Sequence, residues 1–388
     1  MSERKRTALL LASGGAYAAY EVGVMKALFA GHSAATEFRA FEPDVIFALG
    51  MGAVNAGILA ANDGAGLDRA VALLEEIWLD NFAEGGRGCG NGLYRIRGLP
   101  SEYLNPKCYL ANPAGVLRDG ADDALRAASG AASLAAAPER LLHPLAYFRL
   151  SAFLDPAPLR RSVQQFVPLD GLRNSRQQLR ISALNAATGK VRVFDKEAVA
   201  RFNGAPILAA TESAIFFPPE EIDGAPYIDA SLLIDTPLKS AIEEADEIHV
   251  VYMDPELKRI PREHLQNSIE VLDRFRAVQI AYAFNQDIRT ARAINRGLEV
   301  LEKTSHGGAL TDEDVHAFLR TAGRAYRRLA EGNPYRKLTI HRFHPRKDFG
   351  DSLGLLNLDR DHLRSMIDEG YRDAVAYDPT KVRPSSSS

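Results

Sequence analysis

The stretch that decides the fold is DVIFALGMGAVNA, residues 44–56. It begins with an apolar run, residues 45–49, that predicts a buried strand. Gly50-Met51-Gly52 then interrupts the run as a turn signal. Small and aliphatic residues follow over 53–61 and favour a helix. A buried strand that turns sharply into a small-residue helix is typical of a parallel α/β sheet.

The turn has the frame of a nucleophile elbow, in which G-x-S-x-G lifts a serine above the sheet. Residues 48–52 read Ala-Leu-Gly-Met-Gly, so Gly50 occupies the serine position and Met51 and Gly52 complete the elbow. An elbow nucleophile sits at positive φ, which strains any residue that has a Cβ. Glycine adopts this conformation with little penalty. Gly50 is therefore expected to preserve the turn and to delete the attacking oxygen.

Composition and charge limit the class of protein to which this chain can belong. The chain has 388 residues and a formal net charge of -3, so nothing indicates attraction to nucleic acid. Two cysteines cannot form a disulfide framework, which favours a reducing compartment. The apolar run at residues 8–12 is too short for a secretion signal, and no stretch approaches the roughly 20 apolar residues that span a bilayer. We expect a cytoplasmic protein with, at most, peripheral membrane contact.

Alternating strand and helix patterns predict a three-layer α/β domain with a mainly parallel sheet over residues 5–255. Predicted strands cover residues 7–12, 45–49, 179–184, 191–194 and 247–253. Beyond residue 255 the pattern changes to long amphipathic helices with one late strand at 337–344. We therefore predict a mainly helical C-terminal extension over 256–380. A glycine-rich loop at 85–92 and an alanine-rich segment at 120–139 have no assigned role.

A second glycine turn follows the first predicted strand. Gly14, Gly15 and Ala16 lie between that strand and a predicted helix over residues 21–30. A turn that opens a helix presents backbone N–H groups and the positive end of the helix dipole. Such a turn can hold a phosphate or a developing oxyanion.

A candidate base lies in DGAPYIDAS, residues 223–231, where Asp229 follows a turn and a short strand. The ordinary alternative is an aspartate that stabilises a tight turn, which is a common position for this residue. The Tyr-x-Asp-small-small context favours the catalytic interpretation.

Four segments, in order, together resemble the patatin-like phospholipases. They are SGGAYAAYEVGVMKAL (13–28), DVIFALGMGAVNAG (44–57), SAIFFPPEEIDG (213–224) and YIDASLLIDTPL (227–238). The helix containing DEGYRDA, residues 368–374, is similar to that of bacterial members with a C-terminal extension. The resemblance covers about two-thirds of the chain.

This resemblance implies a Ser–Asp dyad that hydrolyses phospholipids or other acyl-ester lipids without a metal or another cofactor. In the family the serine attacks the ester, and the aspartate, here Asp229, takes its proton. The N–H groups of the glycine turn, here Gly14, Gly15 and Ala16, hold the oxyanion. A covalent acyl-enzyme is then hydrolysed.

The chain departs from the family pattern at Gly50 and at several neighbouring small residues. Ala48, Ser13, Ala18, Ala230 and Ser231 replace glycines, and Tyr17 stands where many relatives have arginine. Glycine at residue 50 could belong to a natural variant, or it could replace a serine in order to trap substrate. The additional changes near the site favour the natural variant. Either way we expect lipid binding with little or no turnover. The alternative is a non-catalytic lipid-binding or scaffold protein.

Other candidate chemistry is weaker. Ser13 and Ser231 could replace the missing nucleophile, but the more ordinary interpretation is that each is a turn serine bonded to its own backbone. His341 and His344 fall on opposite faces of a predicted strand, which argues against a metal pair. The spacing around Gly14 and Gly15 does not meet the dinucleotide pattern G-x-G-x-x-G.

Overall fold

The computed structural model describes residues 5–85, 90–96, 154–211, 217–232, 238–253, 292–300, 311–330, 338–346 and 356–379, with isolated helical positions at 114–128, 271–278 and 302–303. Strands in this part of the chain form an eight-stranded sheet and a separate two-stranded one. They are β1 (Thr7–Leu11), β2 (Val45–Ala48), β3 (Arg95–Ile96), β4 (Leu154–Asp155), β5 (Gln178–Asn185), β6 (Lys190–Asp195), β7 (Glu220–Ile222), β8 (Ala225–Asp229), β9 (Glu247–Val251) and β10 (Thr339–Phe343).

Helices surround this sheet, and short 3-10 turns lie at Gly15–Ala18, Ala34–Thr36, Asp63–Ala65 and Ala230–Leu232. The α-helices are α1 (Ala19–Phe29), α2 (Met51–Ala61), α3 (Leu67–Glu76), α4 (Ala157–Phe166), α5 (Leu169–Asn174), α6 (Lys196–Arg201), α7 (Ala205–Thr211), α8 (Leu238–Glu244), α9 (Asp312–Ala330) and α10 (Arg360–Val375). A π-helical turn, Ile77–Phe82, extends α3.

The large sheet has the order β10-β9-β1-β2-β5-β8-β7, with β6 pairing to β5. Strands β10, β9, β1, β2 and β5 run parallel to one another. Strands β6 and β8 are antiparallel to β5, and β7 is antiparallel to β8. The predicted α/β fold with a mainly parallel sheet is thus confirmed.

Alternation along β1 divides the core into two layers. Leu9 and Leu11 pack with α1, α2, α3 and α10 on one face. Ala8 and Leu10 pack with α8 on the other. A sheet buried on both faces accounts for the near-continuous apolar run of β1 and β2.

The C-terminal region supplies helices, as predicted, and also the edge strand β10 of the main sheet. Its last helix, α10, approaches α1 at two glycines. A Cβ on Gly23 would lie 1.8 Å from the carbonyl oxygen of Ile367, and one on Gly370 would lie 2.1 Å from that of Tyr20. These backbones therefore touch without intervening side chains.

Some predicted segments fall outside the described residues. They include residues 86–89 of the glycine-rich loop, most of the alanine-rich segment, residues 213–216 of the third family-like segment and residues 233–237 of the fourth.

Candidate active site

Ser13, Gly50 and Asp229 lie at or shortly after the ends of strands β1, β2 and β8. Register pairs Leu11 with Ala48, and Ala48 with Ile181. Two positions further along β5, Ala183 pairs with Asp229 of β8. Ser13 and Gly50 each follow the end of their strand, β1 and β2, by two residues. Strand β2 thus pairs with the first half of β5, and β8 pairs with the same side of β5 after β2 ends before Gly50.

The elbow has the backbone conformation that the sequence predicts. Gly50 has φ 57° and ψ -143°, and α2 begins at the next residue, Met51. The Gly50 carbonyl accepts a hydrogen bond from Ala53 N (3.0 Å), and Thr211 Oγ1 lies 3.1 Å from the same oxygen. The turn is therefore fixed from α2 and from the end of α7.

The space above Gly50 is occupied by Ser13. A Cβ built at residue 50 would lie 2.2 Å from Ser13 Oγ, 2.4 Å from its Cβ and 2.6 Å from its Cα. Real Cβ contacts do not come this close, so a side chain at residue 50 requires Ser13 to shift. The glycine turn and the elbow therefore contact each other where a Cβ of residue 50 would lie.

The glycine turn is closely packed on the sheet. Gly15 has φ 54°, which suits glycine, and the 3-10 turn Gly15–Ala18 continues into α1. A Cβ at Gly52 would lie 2.6 Å from the carbonyl oxygen of Ala12, so α2 begins directly against the end of β1. The first N–H groups of α2, at Met51 and Gly52, have no acceptor within their helix.

Asp229 is held by a neighbouring residue. It is buried, with 5% of its surface exposed. Its Oδ1 accepts from Ser231 N (2.9 Å), and its Oδ2 accepts from Ser231 Oγ (2.6 Å). Ser231 is itself buried, so its hydroxyl orients the carboxylate instead of facing a substrate. For Ser13, by contrast, no described residue bonds to the hydroxyl, and the side chain is half-buried.

A buried polar network beneath the elbow was not recognised from the sequence. Asn55 Nδ2 donates to Glu21 Oε2 (2.7 Å) and to the Ala18 carbonyl (3.0 Å), and its Oδ1 accepts from Trp78 Nε1 (2.8 Å). Burial raises the pKa of the Glu21 carboxyl well above its usual value, and the bond from Asn55 opposes this only in part. The network ties α1, α2 and the π-helical turn together. An acid within an apolar helix was the signal that could have revealed it.

Comparison with known proteins identifies the lineage. A family model described as patatin-like phospholipase matches residues 9–242, which is more than half of the chain. The chain belongs to this family. Among solved structures, VipD from Legionella pneumophila is similar at 13% identity and a TM-score of 0.36, over 96% of this chain and 66% of VipD. No curated protein matches the sequence at a significant level.

Membership of the patatin-like phospholipase family gives the chain the ancestry of a lipid acyl hydrolase. The matched residues contain the glycine turn, the elbow, Asp229, strands β2, β5 and β8, and β1 from its third residue onward. Among the helices in the described part of the chain, none combines the length and apolarity needed to cross a bilayer.

A group of possible metal ligands lies away from this site, at the β9–β10 pair. The parallel register sets His341 opposite His249, and Glu247 lies two residues before His249 on the same face. Glu247 Oε1 is 3.4 Å from His341 Nε2 and 3.9 Å from His249 Nε2. The sequence-based argument considered only His341 with His344 and so missed this group.

The ring geometry of the two histidines favours packing over metal binding. Their rings stack with centroids 4.6 Å apart and planes 25° apart. Imidazole lone pairs lie in the ring plane, so stacked rings direct them along nearly parallel lines and not towards one ion. Burial, with a smaller contribution from His341, lowers the pKa of His249 to about 3. The hydrogen bond with His341 holds the pKa of the Glu247 carboxyl below its usual value.

Proposed function

We propose that the chain binds phospholipids or other acyl-ester lipids at the site formed by the glycine turn, the elbow and Asp229, and that residue 50 supplies no nucleophile to it. The observation that carries this proposal is the filled space at Gly50. The turn keeps its elbow conformation, and Ser13 occupies the volume that a side chain at 50 would need.

Support for an acyl group as ligand comes from the parts of the lineage site that are retained. Met51 and Gly52 begin α2, so their N–H groups have no acceptor within the helix. Asp229 is oriented by Ser231, and it pairs with Ala183 on β5, the strand that also pairs with β2. We propose that these groups hold the ester, with Gly14, Gly15 and Ala16 as further N–H donors to its carbonyl oxygen.

The expected activity is low. Removing a covalent nucleophile from an enzyme of this kind costs about 10³-fold or more in rate. We therefore propose a lipid-binding protein of hydrolase ancestry, in peripheral contact with membranes, that turns over esters far more slowly than a relative with the elbow serine. A purely non-catalytic lipid-binding or scaffold role is the second candidate, and it is favoured by the same closure of the turn over Gly50.

The test compares turnover of a short p-nitrophenyl ester with binding of a fluorescent long-chain fatty acid. Because Ser13 Oγ and Cβ obstruct residue 50, the nucleophile is restored with Ser13→Gly/Gly50→Ser, in which only the backbone at residue 13, with its Cα 2.6 Å from the ideal Cβ of residue 50, still has to shift. Gly50→Ser alone is expected to gain less. The double variant should exceed the unmodified chain by about 10²-fold or more. Adding Asp229→Asn should remove that gain.

Two outcomes contradict the proposal. Equal turnover by the unmodified chain and the double variant would show that residue 50 is not the nucleophile position. Absence of fatty-acid binding by the unmodified chain, and of acyl lipid in a solvent extract of it, would show that the site takes no acyl group. A folded double variant without activity would favour the scaffold role.

A further inference from the structure

We propose that Glu21 is a positioning residue of the lipid site. As a neutral acid it fixes Asn55 between the glycine turn and the elbow helix α2, and its ionisation loosens this connection. The inference rests on the proposed function, because it concerns the binding of an acyl lipid at that site. Alkaline conditions that ionise Glu21 therefore weaken lipid binding.

Asn55 joins the two helices that begin at the candidate site. Its Nδ2 donates to the carbonyl of Ala18, the residue that caps the N-terminus of α1, at 3.0 Å. Asn55 itself lies four residues after Met51, the first residue of α2. Because the glycine turn leads into α1 and the elbow leads into α2, this bond holds the two turns at a fixed separation.

The orientation of the Asn55 amide depends on Trp78 and Glu21. An indole N–H can only donate, so Asn55 Oδ1 faces Trp78 Nε1, at 2.8 Å. The two hydrogens on Nδ2 then point to two acceptors, the Ala18 carbonyl and Glu21 Oε2, the second at 2.7 Å. Glu21 therefore satisfies the one donor of Asn55 that the rest of the network leaves over.

The Glu21 carboxyl is enclosed without a compensating charge. None of its surface is exposed, and its Oε1 has no hydrogen-bond partner in the described part of the chain. Burial raises the pKa of this carboxyl, and the bond from Asn55 and the backbone of Ala12 oppose the shift only in part. A carboxylate here would be a buried, unpaired charge, so the network accommodates the neutral acid.

Ionisable groups on the helices that pack against α1 have other partners. Helix α2 contains no ionisable side chain. The half-buried groups of α3 and α10 interact with other residues of α1 or of the turns beside it, and Asp80 of the π-helical turn is exposed. The interactions are Glu75 with Lys26, His362 with Tyr17, Glu369 and Asp373 with Tyr20, Tyr371 with His32, and Asp80 with Arg360. Ionisation within the network is thus assigned to Glu21.

The first measurement needs no ligand, because Trp78 is the single tryptophan of the chain and belongs to the network. Its fluorescence is followed in the full chain from pH 5 to the onset of alkaline unfolding. We expect the emission to titrate in the unmodified chain and to stay constant in Glu21→Gln, which keeps the acceptor oxygen and cannot ionise. The control Glu75→Gln removes a half-buried acid of α3 and should leave the titration unchanged.

The second measurement is the affinity for a fluorescent phosphatidylcholine, whose head-group charge is constant over this pH range. The affinity of the unmodified chain should fall about fivefold across the Trp78 titration, the equivalent of one hydrogen bond. Glu21→Gln should keep its affinity, and Glu21→Ala should bind weakly at every pH. Met25→Ala, at a buried apolar residue of α1, should lower stability and leave the pH profile of binding unchanged.

Three results overturn the assignment of Glu21. They are a Trp78 titration that persists in Glu21→Gln, no titration before the unmodified chain unfolds, and an equal alkaline loss of affinity in the unmodified chain and Glu21→Gln. Failure of the proposed function looks different. In that case Trp78 titrates as expected, but the chain binds no phosphatidylcholine at any pH, and the network serves the fold alone.

Discussion

At residue 50, backbone conformation and available space both select glycine. The positive φ disfavours any Cβ, and Ser13 fills the position that a Cβ would take. Conformation alone would allow the strained serine of an ordinary elbow. The second condition, absence of space, excludes a side chain at residue 50 unless Ser13 shifts.

Gly50→Ala is expected to lower the free energy of unfolding by about 2–4 kcal/mol, from backbone strain together with overpacking against Ser13. Chemical denaturation measures this loss. The matched control is Gly189→Ala, which has a similar φ of 69° but nothing within 4 Å of the new Cβ. The free energy of unfolding of the control should fall only by the cost of backbone strain, about 1 kcal/mol.

The overlap itself can be tested by adding Ser13→Gly to Gly50→Ala. Residues in contact are not additive, so the double variant should recover part of the loss. Strict additivity of the two substitutions would contradict the contact between Ser13 and residue 50.

Among elements, the close pair is α1 and α10. Gly23 and Gly370 each face a backbone carbonyl of the other helix. Backbone atoms in packed helices cannot move aside as the end of a flexible side chain can. Because α1 directly follows the glycine turn, the contact between α10 and α1 also helps to fix the position of that turn.

Gly370→Ala is therefore expected to destabilise the chain by about 3 kcal/mol or more, as overpacking between rigid elements does. The control is Gly64→Ala, at a short 3-10 turn where the new Cβ would meet nothing within 4 Å. Thermal unfolding should show a clear decrease for the first and almost no change for the second. Similar melting temperatures for both variants would rule out the close α1–α10 contact.

At the scale of the whole molecule, the C-terminal region is joined to the sheet at the β9–β10 pair. His249 is completely buried there, between Phe41 at 4.2 Å and His341 at 4.6 Å between ring centroids. Its Nε2 lies 3.3 Å from the Ala35 carbonyl oxygen, and Nδ1 has no partner in the described part of the chain. The imidazole is therefore kept neutral in the folded state.

A histidine with a depressed pKa makes stability depend on pH. As pH falls below about 6.5, the unfolded chain binds a proton at His249. The folded chain binds this proton only near pH 3. Stability from this group is therefore complete above pH 6.5 and is lost as pH falls. The lost stability approaches about 1.4 kcal/mol per pH unit.

The measurement is the unfolding free energy at pH 5 and pH 6 for the unmodified chain and for His249→Gln. The unfolding free energy should differ less between pH 5 and pH 6 for His249→Gln than for the unmodified chain, because the variant lacks the histidine whose protonation lowers stability. The exposed His316→Gln serves as control and should leave the slope unchanged. Equal slopes for the unmodified chain and His249→Gln would contradict a neutral, buried His249.

Much of the architecture was predictable from local pattern. The predicted strands at residues 7–12, 45–49, 179–184 and 247–253 agree with the observed β1, β2, β5 and β9. For β1 and β2 the prediction succeeded because a strand that is buried on both faces is apolar along nearly its whole length. The elbow at Gly50 was predictable for a similar reason, since only glycine tolerates its backbone conformation without strain.

Contacts between distant segments were not predictable in this way. Two examples are the Glu21–Asn55–Trp78 network and the stacking of His249 on His341, whose partners are 23 to 92 residues apart along the chain. Periodicity describes the face of one element and carries no information about which face it meets.

The sequence by itself determined the family, the strand–turn–helix elbow and the absence of a hydroxyl at residue 50, because each depends on residue type within a short segment. Only the tertiary structure decided what occupies the space above Gly50. Sheet register sets the ends of β1, β2 and β8 at one level, and this register depends on pairing between segments more than 30 residues apart. That pairing brings Ser13 over Gly50 and makes position 50 a filled site instead of an empty one.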